Sequence, residues 1–352
     1  MKITDLVEAE YANVTEQKKE LKQKNSVSQV HKKMRTIITD LADYITKDNE
    51  PFWYAYEHFT RKISDELISY TKKDIEECCF MLAEIEADYL DFADFSGLAG
   101  NFLSALINVK YEKTHQVEEY VLHTDQFQRK INHLGKENKQ NIQIFGDVGN
   151  CVGSKMLSGS IYINGSVGTH AFEHMFGGSG VITGNAQGQM GQNMEGGTIT
   201  LNGTTTHNTG DYMQGGIITI CKNAGNFCGV NMQNGLITIQ GNAGDCVGYG
   251  MINGNIICRE NIGEKCGVCM EGGLIKVMGN AGNYLGLVMK KGTILVEGNV
   301  GKSIGKDMKG GFIRLNGTYE SLAENSLQGK IYAKEKQIWP VVECDMFSSR
   351  IV

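Results

Sequence analysis

The chain has 352 residues, 41% hydrophobic and 21% charged, with a formal net charge of -6; this composition describes a folded chain of about two domains, not a disordered one. No apolar run approaches the roughly 20 residues of a membrane span, and Asp5 and Glu8 fall where a signal peptide has its apolar segment. A cytoplasmic protein is expected, with its ten cysteines reduced, no membrane partner, and no nucleic-acid partner, because phosphate binding requires a basic surface.

Residues 1–140 hold three of the 44 glycines and carry 19 Lys and Arg against 25 Asp and Glu; residues 141–330 hold the other glycines, and beyond residue 140 the charges balance at 15 and 15. The opening segment, Ile3 to Lys24, is charged and weakly apolar, which suits a projecting helix or an arm that orders on a partner. Val27, Val30, Met34, Ile37, Ile38, Leu41 and Ile45 then recur at three- and four-residue spacing, the signature of an amphipathic helix. Similar patterns run from Trp53 to Tyr70, from Asp74 to Leu90 and from Leu103 to about Lys130, so the first domain, 1–140, is expected to be a bundle of four or five helices. The vicinal Cys78 and Cys79 fall on an apolar helical face and read as core. The aromatic run Phe52, Trp53, Tyr54, Tyr56 and Phe59 also reads as core, with a partner surface as the alternative.

From Asn141 the chain repeats every 19 residues. Met156, Met175, Met194, Met213, Met232, Met251, Met270, Met289 and Met308 keep this interval, Leu327 takes the next place, and a glycine follows each of the nine methionines by three residues. An alternating apolar pair comes five and seven residues after each Met, as in Ile218 with Ile220 and Ile237 with Ile239; period two means strand. A Gly-Asn turn completes the unit. A short unit of fixed length that turns on glycine is a solenoid, and 19 residues suit one coil of a right-handed parallel β-helix. The fold class expected is α+β multidomain, with the helical bundle followed by about ten coils over 141–330 and a C-terminal cap over 331–352 that includes Trp339, Pro340 and Val341. The Met column is expected inside, and Asn223, Asn242, Asn261, Asn280 and Asn299 are expected to stack as an amide ladder along the axis.

Written as G-x-x-M-x-x-G-x-I-x-I-x-G-N-x-G, with Gly248 to Gly263 and Gly286 to Gly301 as examples, the repeat resembles the GXGXG β-helix superfamily. That superfamily includes the C-terminal domain of the glutamate synthase large subunit and one of the subunits of formylmethanofuran dehydrogenase. The resemblance implies a packing and scaffolding element beside redox or amidotransferase-type catalytic domains. The chain shows no N-terminal nucleophilic Cys and no cluster-binding run of Cys, and no cofactor is expected.

Three motifs could carry chemistry. His170, Glu173 and His174 spell H-x-x-E-H, a zinc motif when helical, but the repeat places them on a coil, with His207 two coils farther on. These four are the metal-ligand candidates, and a capping cluster is favoured over a metal site. Cys266 and Cys269 form C-x-x-C, with one thiol expected inward and the other outward, and Cys228 shares the register of Cys266 two coils away, beyond disulfide reach. Gly298 to Ser303 resembles a phosphate loop, but its spacing is two residues short. The sequence therefore points to a non-catalytic scaffold or structural subunit, joined to a protein partner or to further copies of itself, with the acidic helical half carrying specificity. An enzyme with a site at the domain junction or at the His170/Glu173/His174 patch is the alternative. The repeat is also expected to stand as a folded rod when residues 1–135 are removed.

Overall fold

A computed structural model describes residues 29–48, 54–67, 69–89, 94–324 and 328–339. The expectations for Ile3 to Lys24, Val27, Phe52, Trp53, Leu327, Pro340 and Val341 lie outside these residues. Four helices open the described chain: α1 (Gln29–Asp48), α2 (Ala55–Glu66), α3 (Lys72–Ile85) and α4 (Phe95–Thr114). Each buries the face its sequence marks. Met34, Ile38 and Leu41 of α1, Phe59 and Ile63 of α2, and Cys78, Cys79 and Leu82 of α3 are at most 2% exposed. Tyr56 and Phe59 are core and Tyr54 packs against it, so the described part of the aromatic run is interior, not a partner surface. A capping box starts α3: the Thr71 hydroxyl accepts from the Asp74 N–H and the Asp74 carboxylate accepts from the Thr71 N–H.

The fourth helix differs from its expected extent of Leu103 to Lys130. It begins at Phe95 and ends at Thr114, where His115 turns left-handed at φ 53° and donates to the Tyr111 carbonyl. The next element is a strand, β1 (Glu119–His123), with Tyr120 and Leu122 buried. It pairs in parallel with β2 (Asn141–Phe145), so the solenoid ladder starts before Asn141. The register Tyr120↔Ile142 is a 22-residue step, which hides β1 from a 19-residue repeat.

The ladder continues through β3 (Ser160–Asn164), β4 (Ser179–Ile182), β5 (Thr198–Leu201), β6 (Ile217–Ile220), β7 (Leu236–Ile239), β8 (Asn255–Cys258), β9 (Leu274–Val277), β10 (Thr293–Val296), β11 (Lys309–Leu315) and β12 (Gln328–Ala333). These twelve strands form one sheet in sequence order, all parallel, which makes about eleven turns of a parallel β-helix. At ~4.8 Å per step the rod is about 53 Å long. The hairpin from β12 to β13 (Lys336–Trp339) reverses direction and closes the described C-terminal end with an antiparallel pair.

The Met and Gly columns are one device. All nine methionines are fully buried, and each reaches beneath the glycine of the next coil. A Cβ on Gly254, which sits at φ 91°, would lie 2.9 Å from Met232 Cε, and one on Gly178 would lie 2.7 Å from Met156 Cε. The long, unbranched thioether fills a slot that exists only because the residue above it has no side chain. The same glycines need positive φ, so one residue type answers both demands.

Each coil closes on a corner where alternate residues are left-handed, for example Phe227 (61°), Gly229 (70°) and Asn231 (51°). The backbone N–H groups there alternate in direction: Cys246 donates forward to Glu264 O and Gly248 donates back to Cys228 O. Since every coil repeats this geometry, the positive φ angles belong to the architecture and mark no particular site. The middle position is glycine except at Phe172 (φ 57°), whose ring is fully buried. The exception is compensated within the next strand, because Gly180 stands in β4 where β3 and β5 carry Ile161 and Ile199. A Cβ on Gly180 would meet Phe172 Cζ at 2.3 Å, so the ring fills the place of the missing isoleucine.

The Asn ladder also holds, with a different bond from the one expected. Each Oδ1 accepts the backbone N–H of the next coil: Asn242 N to Asn223 at 2.9 Å, Asn280 N to Asn261 at 2.8 Å, Asn299 N to Asn280 at 2.7 Å. Amide-to-amide stacking is secondary; Asn261 Nδ2 reaches Asn242 Oδ1 at 3.0 Å. The column pins a turn N–H that would otherwise lack a partner.

Candidate functional site

The helices meet the rod along α4. Ser96, Gly100, Ser104 and Asn108 recur every four residues and form one stripe on that helix, and all are buried. The stripe lies on the first turn of the rod: Asn132 N donates to Ser96 O, Gly135 N donates to Ser104 Oγ at 2.8 Å, and Asn108 Nδ2 donates to Lys136 O at 2.8 Å. A Cβ on Gly100 would stand 1.9 Å from Asn132 O, so the close approach requires glycine. From α3, Glu76 Oε1 accepts the Val121 N–H at 2.9 Å. The helices thus cover the N-terminal end of the solenoid, the exposed edge that would otherwise template another chain.

A groove of about 600 Å³ opens beside this contact, lined by Tyr56, Glu57 and Arg61 of α2, Asn108 and Glu112 of α4, and Glu137 and Lys139 of the first turn. The Tyr56 hydroxyl accepts from Asn108 Nδ2 at 2.8 Å, and burial pushes its pKa well above the usual phenol value, so it stays neutral. Lys136 Nζ lies 4.4 Å over the Tyr56 ring and 3.3 Å from Glu57 Oε1. A hydrogen bond from Lys139 holds the Glu112 carboxyl below its usual range. Asn108 Oδ1 is buried without a hydrogen-bond partner. Thr60, Ser64 and Asp65 also line the groove, which offers donors, acceptors and charges.

The motifs singled out from sequence resolve as follows. His170 Nδ1 lies 3.2 Å from Glu173 Oε2, and Glu173 Oε1 accepts from Ser154 Oγ at 3.1 Å. His174 turns away to Asn193, 3.5 Å from its Nδ2, and His207 Nδ1 lies 2.9 Å from its neighbour Thr206 Oγ1. His170, Glu173, His174 and His207 therefore do not converge on one point. Cys151 stands in the His170 register one coil earlier, and burial followed by the Glu173 charge pushes its thiol up to about 12. That is the wrong direction for a nucleophilic thiolate.

Cys266 is buried and Cys269 half-buried, and the nine cysteines among the described residues are all unpaired. At the phosphate-like loop, Gly298, Val300 and Gly301 donate to carbonyls of neighbouring coils, and Asn299, Lys302 and Ser303 donate to Asn280, Asn283 and Ser321 side chains. A loop whose N–H groups are all engaged cannot cradle a phosphate.

The outer face of the sheet was not singled out by sequence reasoning. From β3 to β8 the outward positions are Ser160 and Tyr162, Ser179 and Val181, Thr198 and Thr200, Ile217 and Thr219, Leu236 and Thr238, and Asn255 and Ile257. None is charged and none is buried; Ile217 is 42% exposed and Tyr162 36%. Charge borders this face, with Glu119 in β1, Arg259 one residue beyond β8, Lys276 in β9 and Arg314 in β11. The signal was present as Thr and Ile at outward strand places, but it becomes a surface only when six coils stack. No helix among the described residues is long and apolar enough to cross a membrane. No protein-family model matches the chain, and no curated protein matches it in sequence.

Proposed function

We propose that the protein is a non-catalytic scaffold whose solenoid docks a protein partner along the outer face of β3 to β8. The observation that carries this reading is the charge-free face itself, which holds in every one of six consecutive strands of a chain that is 21% charged. Six strands ~4.8 Å apart give a platform about 24 Å long, and a contiguous uncharged face, exposed at Tyr162, Thr198, Ile217 and Asn255 and half-buried at Val181, Leu236 and Ile257, is the kind of surface that marks an interaction site. The resemblance of the repeat to the GXGXG superfamily supports the reading, since there the β-helix stands beside redox or amidotransferase-type enzymes.

The described residues of the helical half, expected to carry partner specificity, contribute little exposed apolar surface. Of the large hydrophobics that are exposed among the described residues, Val117 alone precedes residue 157. Its visible task is to cover the end of the rod.

A second reading, an enzyme or ligand-binding site at the domain junction, is favoured by the unpaired Asn108 Oδ1 beside the groove. The two readings separate experimentally. Thr219→Lys and Thr238→Lys place charges on the outer face without touching the core. In light scattering and pull-down from the native host, the double variant should lose an association that the unaltered chain shows, while keeping its melting temperature. A chain that is monomeric and partnerless at cellular concentration, or association that survives both lysines, would refute the docking face.

A further inference from the structure

We infer that His31, Asp74 and Glu77 form a binding site for a borderline divalent cation of the Zn²⁺ type, clamping α1 to α3. Nothing in the 19-residue repeat bears on it, and it is independent of the docking face. His31 lies in the first turn of α1; Asp74 and Glu77 are one turn apart at the start of α3. His31 Nε2 is 3.6 Å from Asp74 Oδ1 and 3.6 Å from Glu77 Oε2, and one ligand atom from each residue lies within 4.8 Å of the other two. The edge of a tetrahedron built on metal–ligand bonds of 2.0–2.1 Å is about 3.3 Å. The two edges that meet at His31 Nε2 are thus about 0.3 Å longer than such an edge, and the third, between the two carboxylates, lies within 4.8 Å and shortens by at most about 1.5 Å when a cation draws both oxygens in.

The surroundings hold these atoms toward one another. Asp74 Oδ2 is engaged by the Thr71 N–H and hydroxyl, each at 2.7 Å, which leaves Oδ1 as the oxygen directed at His31. Glu77 Oε1 lies 3.5 Å from Lys73 Nζ, and Oε2 is the oxygen that meets the imidazole. Ligands oriented by partners on their far atoms are the usual support of a metal centre. Two carboxylates this close repel when both are ionised, and a divalent cation compensates both charges at once, whereas an imidazolium compensates one. One nitrogen and two oxygens suit Zn²⁺, Co²⁺ or Ni²⁺ better than Mg²⁺ or Ca²⁺, which prefer oxygen alone. His31 is 9% exposed and the carboxylates are partly exposed, so the cation has a path in and room for water as a further ligand.

This group escapes sequence reasoning because its members are 43 and 3 residues apart and match no motif; the nearest sequence signal, H-x-x-E-H, lies on the solenoid instead.

The test uses the full chain, stripped with chelator and titrated with Zn²⁺ by calorimetry and with Co²⁺ by visible absorption, Mg²⁺ serving as control. One Zn²⁺ per chain should bind and raise the melting temperature, and His31→Ala and Glu77→Gln should each weaken binding at least tenfold. His170→Ala with His174→Ala should leave it unchanged. No saturable binding by the unaltered chain, or binding equally strong in His31→Ala and Glu77→Gln, would overturn the assignment. Should those variants fold poorly, X-ray absorption at the zinc edge of the loaded wild-type chain decides: one imidazole with oxygen ligands supports the site, and a shell with no imidazole, several imidazoles or sulfur refutes it.

Discussion

Phe172 and Gly180 allow the packing account to be tested by a double-mutant cycle. Removing the ring in Phe172→Gly empties a fully buried site; deletion of a core phenylalanine costs about 3–5 kcal/mol, of which about 1 kcal/mol returns because glycine relieves the positive φ. A net loss of roughly 2–4 kcal/mol is expected. Gly180→Ile alone forces a side chain into the ring, since even its Cβ would stand 2.3 Å from Phe172 Cζ, and overpacking of this kind costs about 1–3 kcal/mol. Together the two changes restore the arrangement of the following coil, where Ile199 and Ile218 lie against Gly191. The double variant should match or exceed the unaltered protein, so that the coupling energy is at least about 3 kcal/mol and stabilising. Because a solenoid unfolds in nearest-neighbour units, urea unfolding should be read together with hydrogen exchange of the β3 to β5 amides. Additive effects, within about 0.5 kcal/mol, would show that the ring does not occupy the isoleucine's place.

Met232→Lys, which buries an unpaired ammonium in the methionine column, should abolish soluble folded protein, since the penalty of several kcal/mol rivals the stability of a domain; Thr219→Lys, facing outward, should express and melt normally. Asp211 is 7% exposed, its Oδ1 has no partner, and burial holds its carboxyl above the usual value. The folded state therefore binds the proton more tightly than the unfolded one, and stability should fall as pH rises from about 4 through the raised pKa; Asp211→Asn should remove that loss, which melting curves of both proteins between pH 3 and 8 would reveal. Deletion of residues 1–135 should give an aggregating product, contrary to the expectation of a free-standing rod, because it removes β1 and the α4 stripe and uncovers Ile142, Ile144 and Val148, each at most 1% exposed; a soluble monomeric rod by light scattering would show that the helices are dispensable as a cap.

The 19-residue interval determined much of this protein without any coordinates. A methionine, a glycine three residues later and an alternating apolar pair admit one solution, a stacked coil with the methionine inside, because each coil meets an identical neighbour and the local pattern is also the tertiary pattern. The helical faces of Met34 to Leu41 and of Tyr56 to Ile63 were legible for a similar reason, as burial follows the helical period. The sequence did not yield features that depend on unlike segments meeting. The strand Glu119–His123 looked like the tail of a helix until its partner Asn141–Phe145 was in place. Ser96, Gly100, Ser104 and Asn108 read as unremarkable helix residues until the first coil lay 1.9 Å from a missing Cβ. Phe172 stands where the other coils carry glycine, and only the packing against Gly180 supplies the space for its ring. His31 and Glu77 are ordinary helix residues in sequence, and only the packing of α1 on α3 sets their polar atoms 3.6 Å apart. Periodic contacts are encoded at fixed spacing and can be read along the chain, whereas contacts between non-repeating elements depend on how the helices close over the end of the rod, which tertiary packing alone decides.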